Sequence, residues 1–168
     1  MSTPRLKLPT SNRIKIFRCL DVHFRADPKI RETFRVIRSW TGDSTDRIEH
    51  SSGQLPYASL SIRGGPQVQW ASSTKMGDLV VDIIVATPGT CMDDLDNAWA
   101  AFERASYPRD ATTRLALQER LRTAGAHTGV IEFSAMAFDP RPESDYLVGS
   151  GSLSVAYRFD EHPTTPGI

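Results

Sequence analysis

Leu-Val-Val-Asp-Ile-Ile-Val-Ala, at residues 79–86, is the stretch that decides the fold. Apolar residues alternate along it, and a period of two is the signature of a β-strand. Val80 and Ile84 add apolar side chains to the second face, which is typical of a central strand covered on both sides. The alternating positions are Leu79, Val81, Ile83 and Val85.

Weaker strand patterns lie on both sides of this segment. Residues 57–63 alternate and end at Gly64-Gly65-Pro66, and a shorter pattern in residues 34–40 ends near Trp40. Toward the C-terminus, residues 130–139 place Ile131, Phe133, Ala135 and Ala137 on one face, and residues 153–159 form a last strand. A long loop over residues 139–151 is predicted to join these two. Short connections and clean alternation favour antiparallel pairing.

Helical spacing marks the rest of the chain. Residues 13–25 carry a buried stripe, Asp27-Pro28 is a helix-start signal, and residues 93–107 and 113–124 form two more helices. Gly125 is the expected C-terminal cap of the last one. The stripe residues are Ile14, Phe17, Leu20 and Phe24, then Leu95, Ala98, Trp99, Phe102 and Ala105, then Leu117 and Leu121.

These elements predict an α+β fold with a mostly antiparallel sheet of about five strands and two or three helices packed on it. A hairpin or loop over residues 67–77 is expected to project from the sheet. The 168 residues suit one domain, residues 13–160, with an N-terminal arm at 1–12 and a C-terminal tail at 161–168. The predicted core contains Phe17, Leu20, Val81, Ile83, Trp99, Phe102, Phe133, Val155 and Tyr157.

Composition narrows the class of protein. No apolar run approaches the roughly 20 residues that a membrane-spanning helix needs. The first residues lack the layout of a signal peptide. Cys19 and Cys91 are too few for a disulfide scaffold or a metal cage, so we expect two free thiols in a reducing cytoplasm.

Charge is distributed unevenly although the chain is neutral as a whole. Residues 1–40 contain ten Lys and Arg against three Asp and Glu, a net charge of +7, so the other 128 residues carry −7. Three interpretations stay open. The basic segment meets an acidic partner, nucleic acid or a lipid surface; the two halves neutralise each other within the fold; or a basic face of one copy meets an acidic face of a neighbour.

No residue pattern predicts catalysis or a cofactor. The four histidines, His23, His50, His127 and His162, show no metal-ligand spacing. Asp93, Asp94 and Asp96 are explained by the positive N-terminal end of a helix. Gly42-Asp43-Ser44 and Gly149-Ser150-Gly151-Ser152 are interpreted as turns, because neither links a strand to a helix as a nucleophile elbow does. We therefore expect a protein that is not an enzyme, with no metal or cofactor.

In element order and local sequence the chain resembles the tail terminator (tail completion, minor tail) proteins of long-tailed bacteriophages. The resemblance covers about residues 12–160 and has no invariant motif. Its parts are Arg25-Ala26-Asp27-Pro28, Val36-Ile37-Arg38-Ser39-Trp40, the strands at 57–63 and 79–86, Asp94-Leu95-Asp96-Asn97-Ala98-Trp99-Ala100-Ala101-Phe102-Glu103-Arg104-Ala105, and Leu153-Ser154-Val155-Ala156-Tyr157-Arg158-Phe159.

The resemblance implies a structural virion protein with no catalytic residues. Such proteins form a hexameric ring on the tail tube, end its polymerisation and present a surface to the connector or stopper proteins of the head. DNA passes through the ring without specific readout. The location implied is the neck of the virion, after assembly in the host cytoplasm and without a membrane. Alternatives are another neck ring (stopper or adaptor), a nucleic-acid-binding module and a small enzyme.

Interface residues are predicted from the charge asymmetry and from exposed aromatic or basic positions beside turns. The basic side of the first helix supplies three of them, and the hairpin and the 139–151 loop supply the others. They are Arg13, Arg18, Arg25, Trp70, Lys75, Arg141 and Tyr146.

Overall fold

A computed structural model describes residues 11–40, 55–63, 67–68, 76–139 and 145–158, and these form four helices and seven strands. The helices are α1 (Asn12–Ala26), α2 (Pro28–Thr33), α3 (Met92–Ser106) and α4 (Ala111–Thr123). The strands are β1 (Val36–Trp40), β2 (Tyr57–Arg63), β3 (Gln67–Val68), β4 (Met76–Pro88), β5 (Glu132–Phe133), β6 (Ala137–Asp139) and β7 (Tyr146–Arg158).

All seven strands belong to one sheet, in the order β1-β2-β4-β7-β5, with β3 paired to β4 and β6 paired to β7. The ladder between β4 and β7 is the longest, running from Met76 opposite Arg158 to Pro88 opposite Tyr146. Every pairing is antiparallel except that of β1 with β2. The predicted α+β class is confirmed. The five strands of the main path match the expected number, and the extra strands β3 and β6 have only two or three residues.

The helices lie on one face of the sheet. Their buried residues share a core cluster with Leu79, Val81, Ile83 and Val85 of β4, whereas the cluster on the opposite face contains no helical residue. This second cluster is small, formed by Leu55, Tyr57, Ala86 and Val148. β4 is therefore central as predicted, but it is not covered equally on both faces. Val80 and Ile84 on the helix-free face are only half-buried.

Helix ends follow the sequence signals. The Asp27 carboxylate accepts hydrogen bonds from the backbone N–H groups of Lys29 and Ile30, at 2.9 and 3.0 Å, which caps α2 as Asp-Pro predicts. Gly125 follows α4 with a φ of +111°, a conformation that glycine adopts without steric cost. At α4 the Asp110 carboxylate accepts from the backbone and hydroxyl of Thr113, and these bonds lower the pKa of Asp110.

The loop predicted over residues 139–151 is wrong, since residues 146–151 belong to β7. The two glycines that suggested a turn instead let helical and loop side chains approach the strand. A Cβ at Gly149 would lie 2.5 Å from Sδ of Met136, and a Cβ at Gly151 would lie 2.9 Å from Cζ2 of Trp99. Glycine inside a strand often marks such a close approach rather than a bend.

The single strand predicted over residues 130–139 is also wrong, because it divides into β5 and β6. Between them Ser134 binds the neighbouring strand with its side chain. Its hydroxyl accepts from Ser152 N at 2.8 Å, while its own N–H donates to the Ser152 carbonyl. Ile131 is buried, but Ala135 and Ala137 are exposed, so the alternating face continues only as far as the half-buried Phe133.

Eight of the nine predicted core residues are buried, and Phe133 is half-buried against the edge of Trp99. Cys19 and Cys91 are both free thiols, and burial raises the pKa of Cys19. No helix of the described residues is long and apolar enough to cross a membrane. Ser11 and Asn12, predicted to end the N-terminal arm, are the N-cap and first residue of α1. The rest of that arm, Gly42-Asp43-Ser44, most of the 67–77 hairpin and the C-terminal tail lie outside the described residues.

Gly151→Ala should destabilise the fold by about 1–3 kcal/mol, since the added methyl group overpacks the site under Trp99. Trp99 is 3% exposed and cannot move outward without leaving the core. Urea unfolding measures this free energy. Ser150→Ala, at an exposed position one residue away, is the matched control and should stay within about 0.5 kcal/mol of wild type.

Combining Gly151→Ala with Trp99→Phe should be less than additive, because the smaller ring leaves room for the methyl group. Equal unfolding free energies for Gly151→Ala and Ser150→Ala would contradict the packing of Trp99 over β7.

Candidate interaction surfaces

α1 presents a basic outer side, as its sequence predicts. Ile16, Phe17, Leu20 and Phe24 are buried beneath it, while Lys15 and Arg18 are exposed and Arg13 is half-buried. Within the described residues, neither Arg13 nor Arg18 forms an ion pair. Both therefore remain candidates for contact with an anionic surface.

Arg25, one of the predicted interface residues, ties α1 to β1 through its guanidinium. Nε donates to Asp21 at 2.8 Å and Nη2 donates to the Ser39 hydroxyl at 3.0 Å. Ser39 donates in turn to the same Asp21 oxygen. This network fixes the position of β1 against the helix, so part of the Arg25 charge is already compensated.

A groove beside this network brings three arginines together. Arg25, Arg31 and Arg35 line it with Phe34 and Ile37, and its volume is about 280 Å³. Phe34 is 5% exposed and Ile37 is half-buried, so an apolar floor lies between charged side chains. We call these five residues the basic groove. Arginine beside apolar residues is the composition that protein interfaces favour.

Each ion pair seen in residues 11–40 joins two residues of that segment. Arg25 pairs with Asp21 and Lys29 pairs with Glu32, so both pairs stay within the segment. Arg31 and Arg38 are exposed and form no ion pair within the described ranges. The described part of the segment contains eight Lys and Arg against Asp21, Asp27 and Glu32, a net charge of +5. Neither of these two ion pairs joins the segment to the rest of the fold.

Three carboxylates lie along the opposite side of the sheet. Glu132 on β5 and Asp145 just before β7 are exposed, and Asp139 ends β6 half-buried. Because β5 and β6 both pair with β7, these residues lie at the far side of the sheet from β1. The sequence did not single out these three acids, since only the strand order brings them to one edge.

A second cleft, of about 260 Å³, lies between α2 and α3. It is lined by Thr33, Pro56, Thr87, Pro88, Asp94, Asn97 and Ala98. Asp94 lies in the exposed first turn of α3. A negative charge there interacts favourably with the positive N-terminal end of the helix. No serine, cysteine or histidine is among these lining residues.

The other predicted residues fall into three groups. Trp70, Lys75 and Arg141 lie outside the described residues. Tyr146 is half-buried at the start of β7 and packs on the small cluster of the helix-free face. His23 is half-buried and links helices, with Nε2 at 2.7 Å from the Ala105 carbonyl oxygen and Nδ1 at 3.4 Å from Arg120. The described residues contain no group of metal-ligating side chains.

No family model and no curated protein matches the chain. Among solved structures, 28 chains match. One of them comes from a structure described as the virion of a native gene transfer agent (GTA) particle. It is 12% identical, has a TM-score of 0.49, and the match covers 84% of this chain and 93% of that one. At this identity and TM-score, the match assigns neither fold nor function.

Asp27→Ala should cost about 1 kcal/mol of stability, since it removes the N-cap of α2, the helix that carries Arg31. Asp27→Asn is the matched control, because its amide oxygen still accepts from Lys29 and Ile30 and should preserve most of that free energy. Thermal unfolding of the three proteins gives the comparison. An alanine variant as stable as the asparagine variant would show that the cap does not position this helix.

Proposed function

We propose that this chain is a non-enzymatic structural protein of a phage-like virion that forms a hexameric ring at the end of the tail tube. The ring ends polymerisation of the tube and offers its other side to the connector or stopper protein of the head. DNA passes through the ring without sequence readout. The resemblance to tail terminator proteins supports this role. The elements that carry it, from α1 through β4 and α3 to β7, occur in the same order in the described fold.

The observation that carries the proposal is the basic surface of residues 11–40, whose visible ion pairs stay within the segment. An exposed net charge of this size repels itself, so a compensating anionic surface stabilises it. A ring of identical copies brings such a surface to every subunit, because a head-to-tail contact joins one face of a copy to a different face of the next copy.

Nucleic-acid binding is the second candidate, and the basic groove is the observation that favours it. Three arginines on one groove can contact phosphates, and such binding weakens steeply with salt. Binding to duplex DNA that falls by orders of magnitude between 50 and 200 mM salt, with no ring at any protein concentration, would favour this alternative. The stopper and adaptor rings remain alternatives of the same structural class.

Mixing the purified protein with tubes of the corresponding tail protein should produce one ring on each finished tube end and stop further growth. Native mass measurement should show a bound species of roughly six times 18.6 kDa, about 112 kDa. Surface charge pairs are individually weak, so the protein alone should be monomeric or loosely associated. Tubes that keep growing at the same rate with the protein present would contradict the proposal.

A further inference from the structure

The two charged edges of the sheet lie on opposite sides of the molecule. Four strand spacings separate β1 from β5, a distance of about 19 Å at the usual spacing between neighbouring strands. Arg31 and Arg38 flank the β1 side, and we call them the basic edge. Glu132, Asp139 and Asp145 form the acidic edge on the other side. In the direction perpendicular to the strands, each chain is thus basic on one side of the sheet and acidic on the other.

Strand register places Arg38 of the basic edge on the same face as Glu132 and Asp139. Arg38 lies opposite Ser59, which lies opposite Ile84, a residue packed on the helix-free cluster. Asp139 lies opposite Val148 of the same cluster. Glu132 lies opposite Ser154 and, through it, Val80. Because neighbouring residues of paired strands point to the same side, Arg38, Asp139 and Glu132 all face away from the helices.

The rows of the sheet place Arg38 and Asp139 near one end, whereas Glu132 pairs with Ser154, six residues along β7 from Val148 and roughly 20 Å away. One row contains Val36, Tyr57, Ala86, Val148 and Asp139. Arg35 directly precedes Val36, and Arg38 follows Val36 by two residues on the same face of β1. Both are therefore close to the row of Asp139 in their position along the strands. Asp145 precedes Tyr146, which pairs with Pro88 at this same end of the sheet.

We propose that copies of this chain join head to tail, with the basic edge of one copy against the acidic edge of the next. This proposal rests on the proposed ring and names the surfaces that close it. The occupant of each edge is a second copy, because the chain carries complementary charges on the two sides of its own sheet. The basic groove lies beside the seam, and its half-buried Ile37 supplies apolar contact that charge pairs alone lack.

Charge reversal at each edge tests the seam. The first variant combines Arg31→Glu with Arg38→Glu, and the second combines Glu132→Lys with Asp145→Lys. All four residues are exposed, so both variants should keep the thermal unfolding temperature of wild type within a few degrees. Asp139 is left unchanged because it is half-buried and engaged in an interaction. Each variant alone brings like charges together, so rings on tube ends should become about tenfold or more scarcer.

Co-expression of the two variants should restore the ring. In an alternating assembly the acidic edge of the first variant meets the intact basic edge of the second, and the two reversed edges meet each other. Every contact is then between opposite charges, and native mass measurement should find three copies of each variant per ring. The control, Arg104→Glu with Arg109→Glu, changes exposed arginines of the α3 end by the same amount and should form rings as wild type does.

The outcomes separate the seam from the ring. Normal rings from either variant alone, or no rescue from the mixture of two folded variants, would overturn the seam while leaving the ring intact. Absence of rings from the wild-type protein on tube ends would overturn the proposed function and the seam together. Loss of DNA binding in the Arg31 and Arg38 variant, with its rings unchanged, would assign the basic edge to nucleic acid instead.

Discussion

Trp99 packs over Gly151 at the centre of the ladder between β4 and β7, and the other elements take their places around this contact. The ring is nearly fully buried, and its indole N–H donates to Glu103 at 3.0 Å on the outer side of α3. Without a side chain at Gly151, the helix comes close enough to seal Leu79, Val81 and Ile83 from water. The sheet then extends sideways from a rigid centre, with β2 and β1 on one side and β5 and β6 on the other.

This sideways extension separates the charges. The basic residues of α2 and β1, with Arg25 at the end of α1, lie at one edge of the sheet, while α1 begins beside β7, where Asn12 donates to the Arg158 carbonyl. The C-terminal half returns through β5, β6 and β7 and places Glu132, Asp139 and Asp145 on the other side. A uniform scatter of the same charges would favour solubility alone, whereas separated edges of opposite sign favour ordered association of identical copies.

Local sequence signals predicted the central strand at 79–86, the helix stripes, the Asp-Pro start of α2 and Gly125 after α4, because each depends on periodicity or on one residue's backbone preference. The glycines of β7 misled the prediction, since glycine marks turns in sequence but here admits the side chains of Trp99 and Met136. The interface prediction favoured α1 for its spacing. The spacing could not show the tertiary contacts, in which Asp21 and Ser39 engage Arg25 and α2 brings Arg31 beside Arg35 at the start of β1.

A density map of the capped end of a tail tube, at a resolution that traces the strands, tests the central claim most directly. The account predicts six copies in one closed ring, with Arg31 and Arg38 of each copy within ion-pair distance of carboxylates at the β5 and β6 edge of its neighbour. A ring in which β1 faces solvent, or faces a chain of another kind, would contradict it.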